Sequence, residues 1–513
     1  MIVDELLTPP LTMHAFLLWL VPLCLLLLSI KLVLFSSKRS VKLPPSPWKL
    51  PFIGNLHQLG LLPHQSLLKL SKKHGPLMLL KLGQVPTLVV SSSQMAREIM
   101  KTHDLIFASR PVLKTANILL YGNHDMAFAP YGEYWRQMRK ICVTHLLSMR
   151  RVQLFHAARE KEVARLMDKI FSHVSSHPLE ALNMSRVLFC FTNDMLCRAI
   201  LGEFSRDQDG RNEIFMEMIE ENILLLSGFN LEDCFPSFGW LIPLLGLDGR
   251  AKRNFIKWDS FLNRMIKEHA NKKDGNHKDD DFVDVLLSLK NDPDIDIVLD
   301  PESIKALLVD MLAAGTDTTY IVLEWSMAEL IKNSHIMKKL QDEVRGISSM
   351  KLMVNEDELS EMHYLKAVIK EVLRLHPPVP LLLPRESIND CQIEDYKIPS
   401  KTRVVINYWA IARDPKLWDK PEEFIPERFL NNPVDFKGQD FEFIPFGSGR
   451  RICPGIQFAV STIELALANL IYRFDWGLSA DVVGKIDMNE APGATARMKK
   501  NLNLAPKKAF NVM

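Results

Sequence analysis

Three observations predict a mainly α fold with small β-sheets. Apolar residues recur at helical spacing through most of the chain beyond residue 90, and strand-like apolar runs are few and short. No second change of composition marks another domain once an early proline-rich stretch has passed. With 513 residues, 47% of them hydrophobic, the chain can bury a large core without disulfide staples.

The elements follow in order. Ala15 to Phe35 reads AFLLWLVPLCLLLLSIKLVLF, close to the roughly 20 apolar residues that cross a bilayer, with Lys31 placed to snorkel. Asp4 and Glu5 precede it and Lys38, Arg39 and Lys42 follow, so the positive-inside rule leaves the body in the cytosol. A cleaved secretory signal is the other reading, but the stretch has no basic leader and no evident small-residue cleavage site. We therefore read residues 1–36 as a single N-terminal transmembrane anchor. Residues 37–55 form a stiff linker, broken by Pro44, Pro45, Pro47 and Pro51 ahead of Gly54, and residues 56–513 one domain. A cytosolic body also makes the sequon at Asn183, Met184 and Ser185 accidental.

Leu77 to Val90 (LMLLKLGQVPTLVV) predicts a hairpin. Asn271 to Asp281, rich in charge, reads as a solvated connection. A long helix starts at Asp300, a plausible N-cap, with Pro301 at its first position. Its apolar face runs through Ile304, Leu307, Leu308, Met311 and Leu312 and then reaches Gly315, Thr318 and Thr319 in AAGTDTT. Two readings stand there. A mid-helix glycine costs about 1 kcal/mol relative to alanine, so the turn could open to hold water or dioxygen. Alternatively the glycine serves close packing and the threonines bond back to their own helix. Asp317 beside Thr318 adds a proton-relay chemistry that favours the first. In YLKAVIKEVLRLHPP a helix ends before Pro377, placing Glu371 and Arg374 three residues apart. Tyr364, Val368 and Leu375 on the same side predict burial, and a buried pair needs a third partner, for which Arg428 is the candidate.

Seven cysteines (Cys24, Cys142, Cys190, Cys197, Cys234, Cys391 and Cys453) are scattered without a C-x-x-C pair, so neither a zinc knuckle nor a redox dithiol is suggested. A net charge of +2 leaves no excess to track a phosphate backbone, and nucleic acid is not expected as a partner. Cys453 is singled out by FGSGRRICPG, where Gly447, Gly449 and Gly455 allow tight backbone geometry and the apolar run from Ile456 to Leu470 predicts a following helix. A helix N-terminus favours a thiolate. A lone thiolate of this kind suits an axial haem ligand, and a catalytic thiol nucleophile is the competing reading, though the neighbouring arginines supply no base.

Phe446, Gly449, Arg451, Cys453 and Gly455 match the F-x-x-G-x-R-x-C-x-G pattern of the cytochrome P-450 family, the haem-thiolate monooxygenases. Ala314, Gly315, Asp317, Thr318 and Thr319 match its oxygen-activation motif, and Glu371, Arg374 and Arg428 its E-x-x-R triad. The chain resembles that family throughout its body. The resemblance implies the cytochrome P-450 fold and a haem-binding catalytic domain over 56–513. It implies Cys453 as the proximal ligand of haem b, with Phe446 near its sulfur. It places Trp135, Arg139, Arg385 and Arg451 at the haem propionates, makes Asp317 and Thr318 the proton-delivering pair, and makes Glu371, Arg374 and Arg428 structural.

The segments PPSPWKLPFIGNLHQLG, PYGEYWRQMRKIC, FIPERF and PFGSGRRICPGIQFA are similar to the plant A-type group, clan seventy-one. That likeness implies an endoplasmic-reticulum membrane protein that uses O2 and takes electrons from NADPH through cytochrome P-450 reductase, with Arg136 and Lys140 candidate docking residues. Its implied pocket draws on the stretch from Val112 to Phe128, on Ala313 and Ala314, on Val379 to Leu383 including Leu382, and on Gly493 to Ala496 including Ala494. These residues are mostly apolar or small, which suits a small lipophilic substrate. Terpenoids and terpene-derived alkaloids rank first, then phenylpropanoids or coumarins, then aldoximes. The alternatives are a haem-thiolate enzyme that dehydrates, isomerises or couples without inserting oxygen, and a non-catalytic haem-binding protein.

Overall fold

The computed structural model describes residues 42–177, 180–202, 211–227, 230–238, 247–271, 281–290, 297, 299–348, 351–478 and 486–509. The expected anchor lies outside them, as does most of the Asn271 to Asp281 connection. Residues 42–44 and the hairpin around Gln392–Ile398 form a small unit, in which Lys42 pairs with Asp395 at 2.8 Å. All that follows concerns the large unit, residues 45–391 and 399–509.

Helices dominate that unit. The predicted hairpin is present as β1 (Leu77–Leu82) and β2 (Val85–Val90), paired antiparallel with Leu77 opposite Val90. In chain order the helices that frame the interior are α1 (Glu133–Ile141), α2 (Met184–Leu201), α3 (Arg211–Leu225), α4 (Pro301–Lys332) and α5 (His363–Leu375). They are followed by β3 (Arg385–Glu386), β4 (Arg403–Ile406) and α6 (Ile456–Arg473). The strands order β1-β2-β4-β3, with β2 and β4 parallel and β4 and β3 antiparallel. A second sheet joins Leu182–Asn183, Asn503–Lys508 and Phe474–Leu478.

Local chemistry explains the ends of these elements. Asp300 caps α4 by accepting the Ser303 N–H at 2.7 Å, with Pro301 at the first position. Asn183 caps α2 by accepting the Arg186 N–H at 3.0 Å, and Ser185 of the same sequon is buried. Along α5 the buried residues Leu365, Val368, Ile369 and Val372 keep the i, i+3, i+4, i+7 spacing. Helix α4 runs through the middle of the unit and packs against α2, α5 and α6. Among the described residues it is the one helix long and apolar enough to cross a membrane, and it is mostly buried, as a core helix is.

Candidate functional site

A cavity of about 370 Å³ lies between α4 and the loop that carries Cys453. Its floor is set by local backbone. Gly447 and Gly449 hold φ of +74° and +69°, a region other residues avoid. A side chain on Gly449 would run into the Met100 carbonyl and sit 2.6 Å from Asp104 Oδ1. The loop closes where Cys453 N–H donates to the Phe446 carbonyl at 3.0 Å and Ile452 N–H to that of Gly449 at 3.1 Å. Gly455 then starts α6. The Cys453 thiol faces the cavity at this helix start, as the sequence predicts, but its acidity differs from expectation. Burial raises its pKa above the ordinary thiol value, outweighing the Gly455 N–H and the Arg139 charge, which pull it down. The thiol is therefore neutral on its own at neutral pH, and coordination to a metal ion would deprotonate it.

Across the cavity, α4 presents Met311, Ala314, Gly315 and Thr318. The helix is continuous through this turn. Gly315 is explained by packing, since a Cβ there would lie 2.7 Å from Leu196 Cδ1 on α2. Thr318 Oγ1 donates to the Ala314 carbonyl at 2.9 Å. Of the two readings of AAGTDTT, the closely packed and back-bonded geometry is thus the observed one. Asp317 is buried, and its Oδ1 accepts from Arg497 Nε at 2.6 Å. Arg497 also donates to Glu220 on α3 at 3.0 Å. Burial raises the Asp317 pKa and Arg497 opposes that rise. Nothing in the AAGTDTT stretch signals this partner, which lies 180 residues further along the chain.

One wall of the cavity is cationic. Arg110, Arg139, Arg385 and Arg451 all line it. Arg451 donates to the carbonyls of Ala108, Met126 and Ala129 at 2.8, 3.2 and 2.6 Å and stacks 4.0 Å above the Trp135 ring. Trp135 Nε1 donates to the same Met126 carbonyl at 3.0 Å. Arg385 reaches Asp104 at 3.2 Å and the Ser448 carbonyl at 2.8 Å. Arg139 lies 5.8 Å from the Trp135 ring. Burial, then repulsion from Arg385, pushes the Arg451 pKa down to about 9. Arg110 is held well below its ordinary value by burial and by Arg451 and Arg385. Cations in this state call for an anion.

Glu371 and Arg374 are fully buried and joined twice, both at 2.8 Å. Arg428 Nε donates to Glu371 Oε1 at 3.0 Å and so completes the expected triad. Phe446, Gly455, Ala313, Ala314, Val379, Leu382 and Ala494 line the cavity. Of the Val112 to Phe128 stretch, Leu120, Met126, Ala127 and Phe128 do so, whereas Val112 is exposed. Sequence reasoning missed Arg110, Asp310 and the α3 residues Ile219, Asn222 and Ile223, all of which line the cavity.

The residues present fit haem. A thiol rises from a glycine loop that admits close approach, guanidinium groups await two carboxylates, and the remaining lining is largely apolar.

Known proteins agree with this geometry. The family described as Cytochrome P450 matches residues 44–504. Strychnine-11-hydroxylase of Strychnos nux-vomica is 48% identical over 479 residues, covering 93% of each chain. Premnaspirodiene oxygenase of Hyoscyamus muticus is 46% identical over 476 residues, covering 91% of this chain and 93% of its own. A zebra fish cytochrome P450 solved with abiraterone superposes with a TM-score of 0.74 at 24% identity, over 88% of this chain and all of the other. From the thiol loop to the central helix, and along its full matched length, the chain belongs to the cytochrome P450 family of haem-thiolate monooxygenases.

Proposed function

We propose that this protein is an NADPH- and O2-dependent monooxygenase that oxidises a lipophilic plant specialised metabolite, a terpenoid or terpene-derived alkaloid before a phenylpropanoid, coumarin or aldoxime. The observation that carries the reading is that Cys453 and Thr318 face one another's side of a single, largely apolar cavity. The relatives named for acting on strychnine and on premnaspirodiene support an alkaloid or terpenoid substrate.

In this reading Cys453 would ligate the haem iron, and Arg110, Trp135, Arg139, Arg385 and Arg451 would hold the propionates. When bound, haem supplies dioxygen activation, with the thiolate favouring O–O cleavage. The chain's own work is to bind, orient and move protons. Ala313, Ala314, Val379, Leu382 and Ala494 shape the chamber and exclude water. Thr318 Oγ1, released from the Ala314 carbonyl, donates a proton at the cavity, and Asp317, once its Arg497 contact loosens and it has taken a proton from solvent water, returns one to Thr318. Glu371, Arg374 and Arg428 hold the proximal side. Residues 1–36 anchor the protein in the endoplasmic reticulum membrane, residues 37–55 link, and residues 56–513 face the cytosol, where cytochrome P450 reductase docks.

The test is turnover in microsomes carrying this protein and a plant reductase, with pooled terpenes, indole alkaloids and coumarins, read by mass spectrometry. A product heavier by one oxygen, labelled from 18O2, is expected. Product without that label favours dehydration, isomerisation or coupling instead. Cys453→Ala should abolish both the reduced-CO thiolate spectrum and activity, and a normal spectrum in that variant removes Cys453 from the iron. Thr318→Ala should keep haem but divert most NADPH to peroxide. Unchanged coupling of NADPH to product would count against the relay.

A further inference from the structure

Helix α4 carries a second carboxylate, which the oxygen-activation motif does not use. Asp310 sits two turns before Asp317 and lines the cavity. Its Oδ2 accepts two consecutive backbone N–H groups, from Met126 at 2.8 Å and Ala127 at 3.0 Å. The residue just before them, Asp125, is fully buried, and its Oδ2 accepts the Phe128 N–H at 2.6 Å. Asp125 Oδ1 has no hydrogen-bond donor among the described residues, although its carboxyl lies against that of Asp310. The carbonyls of the same segment are held from the other side. Met126 takes Trp135 and Arg451, Ala127 takes Arg110 Nε at 2.9 Å, and Ala129 takes Arg451. Residues 125–129 are thus a plate between the central helix and the guanidinium wall.

Two carboxylates in contact inside a protein cannot both ionise cheaply. Burial raises Asp125 above the ordinary carboxyl range, against the pull of its N–H bonds and of Arg451 and Arg110. Burial and the Asp125 charge hold Asp310 well above the ordinary carboxyl range. A buried oxygen with no donor, set against a second carboxyl, is satisfied by a single proton between them. The other groups facing the pair are Tyr134, His124 and Cys142. Tyr134 donates to the His124 carbonyl at 2.6 Å and to Ser303 at 3.0 Å, and burial raises its pKa to about 12. The His124 ring packs 5.4 Å from that of Tyr134. Burial likewise raises the Cys142 thiol, so Tyr134 and Cys142 both stay neutral where the pair titrates.

We propose that Asp125 and Asp310 share one proton and form a positioning pair, whose protonated state holds residues 125–129 on the central helix and so orients Trp135, Arg110 and Arg451. Loss of the shared proton sets two charges against each other, and the plate lifts from the cavity. The sign follows from the raised acidity constants. An acid that binds its proton more tightly in the closed state contributes stability at low pH. That stability is lost as pH rises from the ordinary carboxyl range through the pair's own range.

The experiment is hydrogen–deuterium exchange of the full-length holoenzyme, followed at the Met126, Ala127 and Phe128 amides from mildly acidic to alkaline pH and corrected for intrinsic exchange. Protection in the wild type should fall about tenfold per pH unit until the last shared proton has left, because opening releases that proton. Asp310→Asn should keep its protection without this slope. Its amide oxygen still accepts from Met126 and Ala127, and its NH2 group donates to Asp125 Oδ1. Asp125→Asn makes the same replacement from the other side and serves if the first variant folds poorly. A flat wild-type profile overturns the proposal, and so does an unchanged slope in the Asn variants. The readout needs no turnover, so it stands or falls apart from the proposed reaction.

Discussion

Arg374 is buried and Arg428 half-buried around Glu371, while Arg110, Arg385 and Arg451 are buried and Arg139 half-buried along the cavity. In the first set, hydrogen bonding and charge are settled together. Arg374 spends two donors on Glu371 and others on the Ala412 and Pro421 carbonyls at 2.6 and 2.8 Å. In the second set, donors mostly find backbone carbonyls, while Asp104 is the one carboxylate paired directly with any of them among the described residues. Carbonyl partners satisfy the N–H groups without neutralising the charge. Buried guanidinium groups of the first kind hold a fold together, and those of the second kind prepare it for an anionic ligand.

Breaking the paired set should have the largest effect. Arg374→Met leaves Glu371 with only the Arg428 guanidinium and the Ile425 N–H and orphans the Ala412 and Pro421 carbonyls, so a loss of about 3–5 kcal/mol is expected. Chemical denaturation and the yield of haem-loaded protein would measure it, and a loss under about 1 kcal/mol would show that the pair is dispensable. Removing a cation from the other set separates charge from fold. Arg139→Met should leave the stability of haem-free protein within about 0.5 kcal/mol, yet weaken haem retention roughly 10-fold or more, as expected for a lost charge-assisted bond. Haem transfer to an apo-globin acceptor reads this directly, and unchanged transfer would take Arg139 away from the propionates. The smallest change tests the central helix. Gly315→Ala gains about 1 kcal/mol of helix propensity but presses on Leu196, an overpacking cost of about 1–3 kcal/mol. A net destabilisation near 1 kcal/mol and a smaller cavity are expected. A gain in melting temperature would mean that Leu196 moves aside freely.

Much of the site was legible because it is written in short stretches. The caps of α4, the buried stripe of α5 and the glycine loop ahead of α6 depend on neighbours within a few residues, and each lies where its spacing predicts. The Glu371 triad was legible as a need, because a buried pair requires a further partner, and Arg428, a candidate shortly before the cysteine loop, is that partner. The ambiguous stretch AAGTDTT shows the limit. Its residues permit either an opened turn or a packed one, and the choice rests on Leu196, which belongs to another helix.

The sequence by itself determined the thiol, its loop, the hydroxyl and acid of the central helix and the helical periodicity that surrounds them, since backbone geometry and capping are local. Only the tertiary structure decided that Asp317 answers to Arg497, that Asp310 meets Asp125, and that Arg110 joins the cavity wall. These partners stand about 180 residues apart in the first two cases. Burial is what couples them. It removes the water that would otherwise screen each charge and leaves every ionised group to find its partner in whatever segment the packing brings alongside.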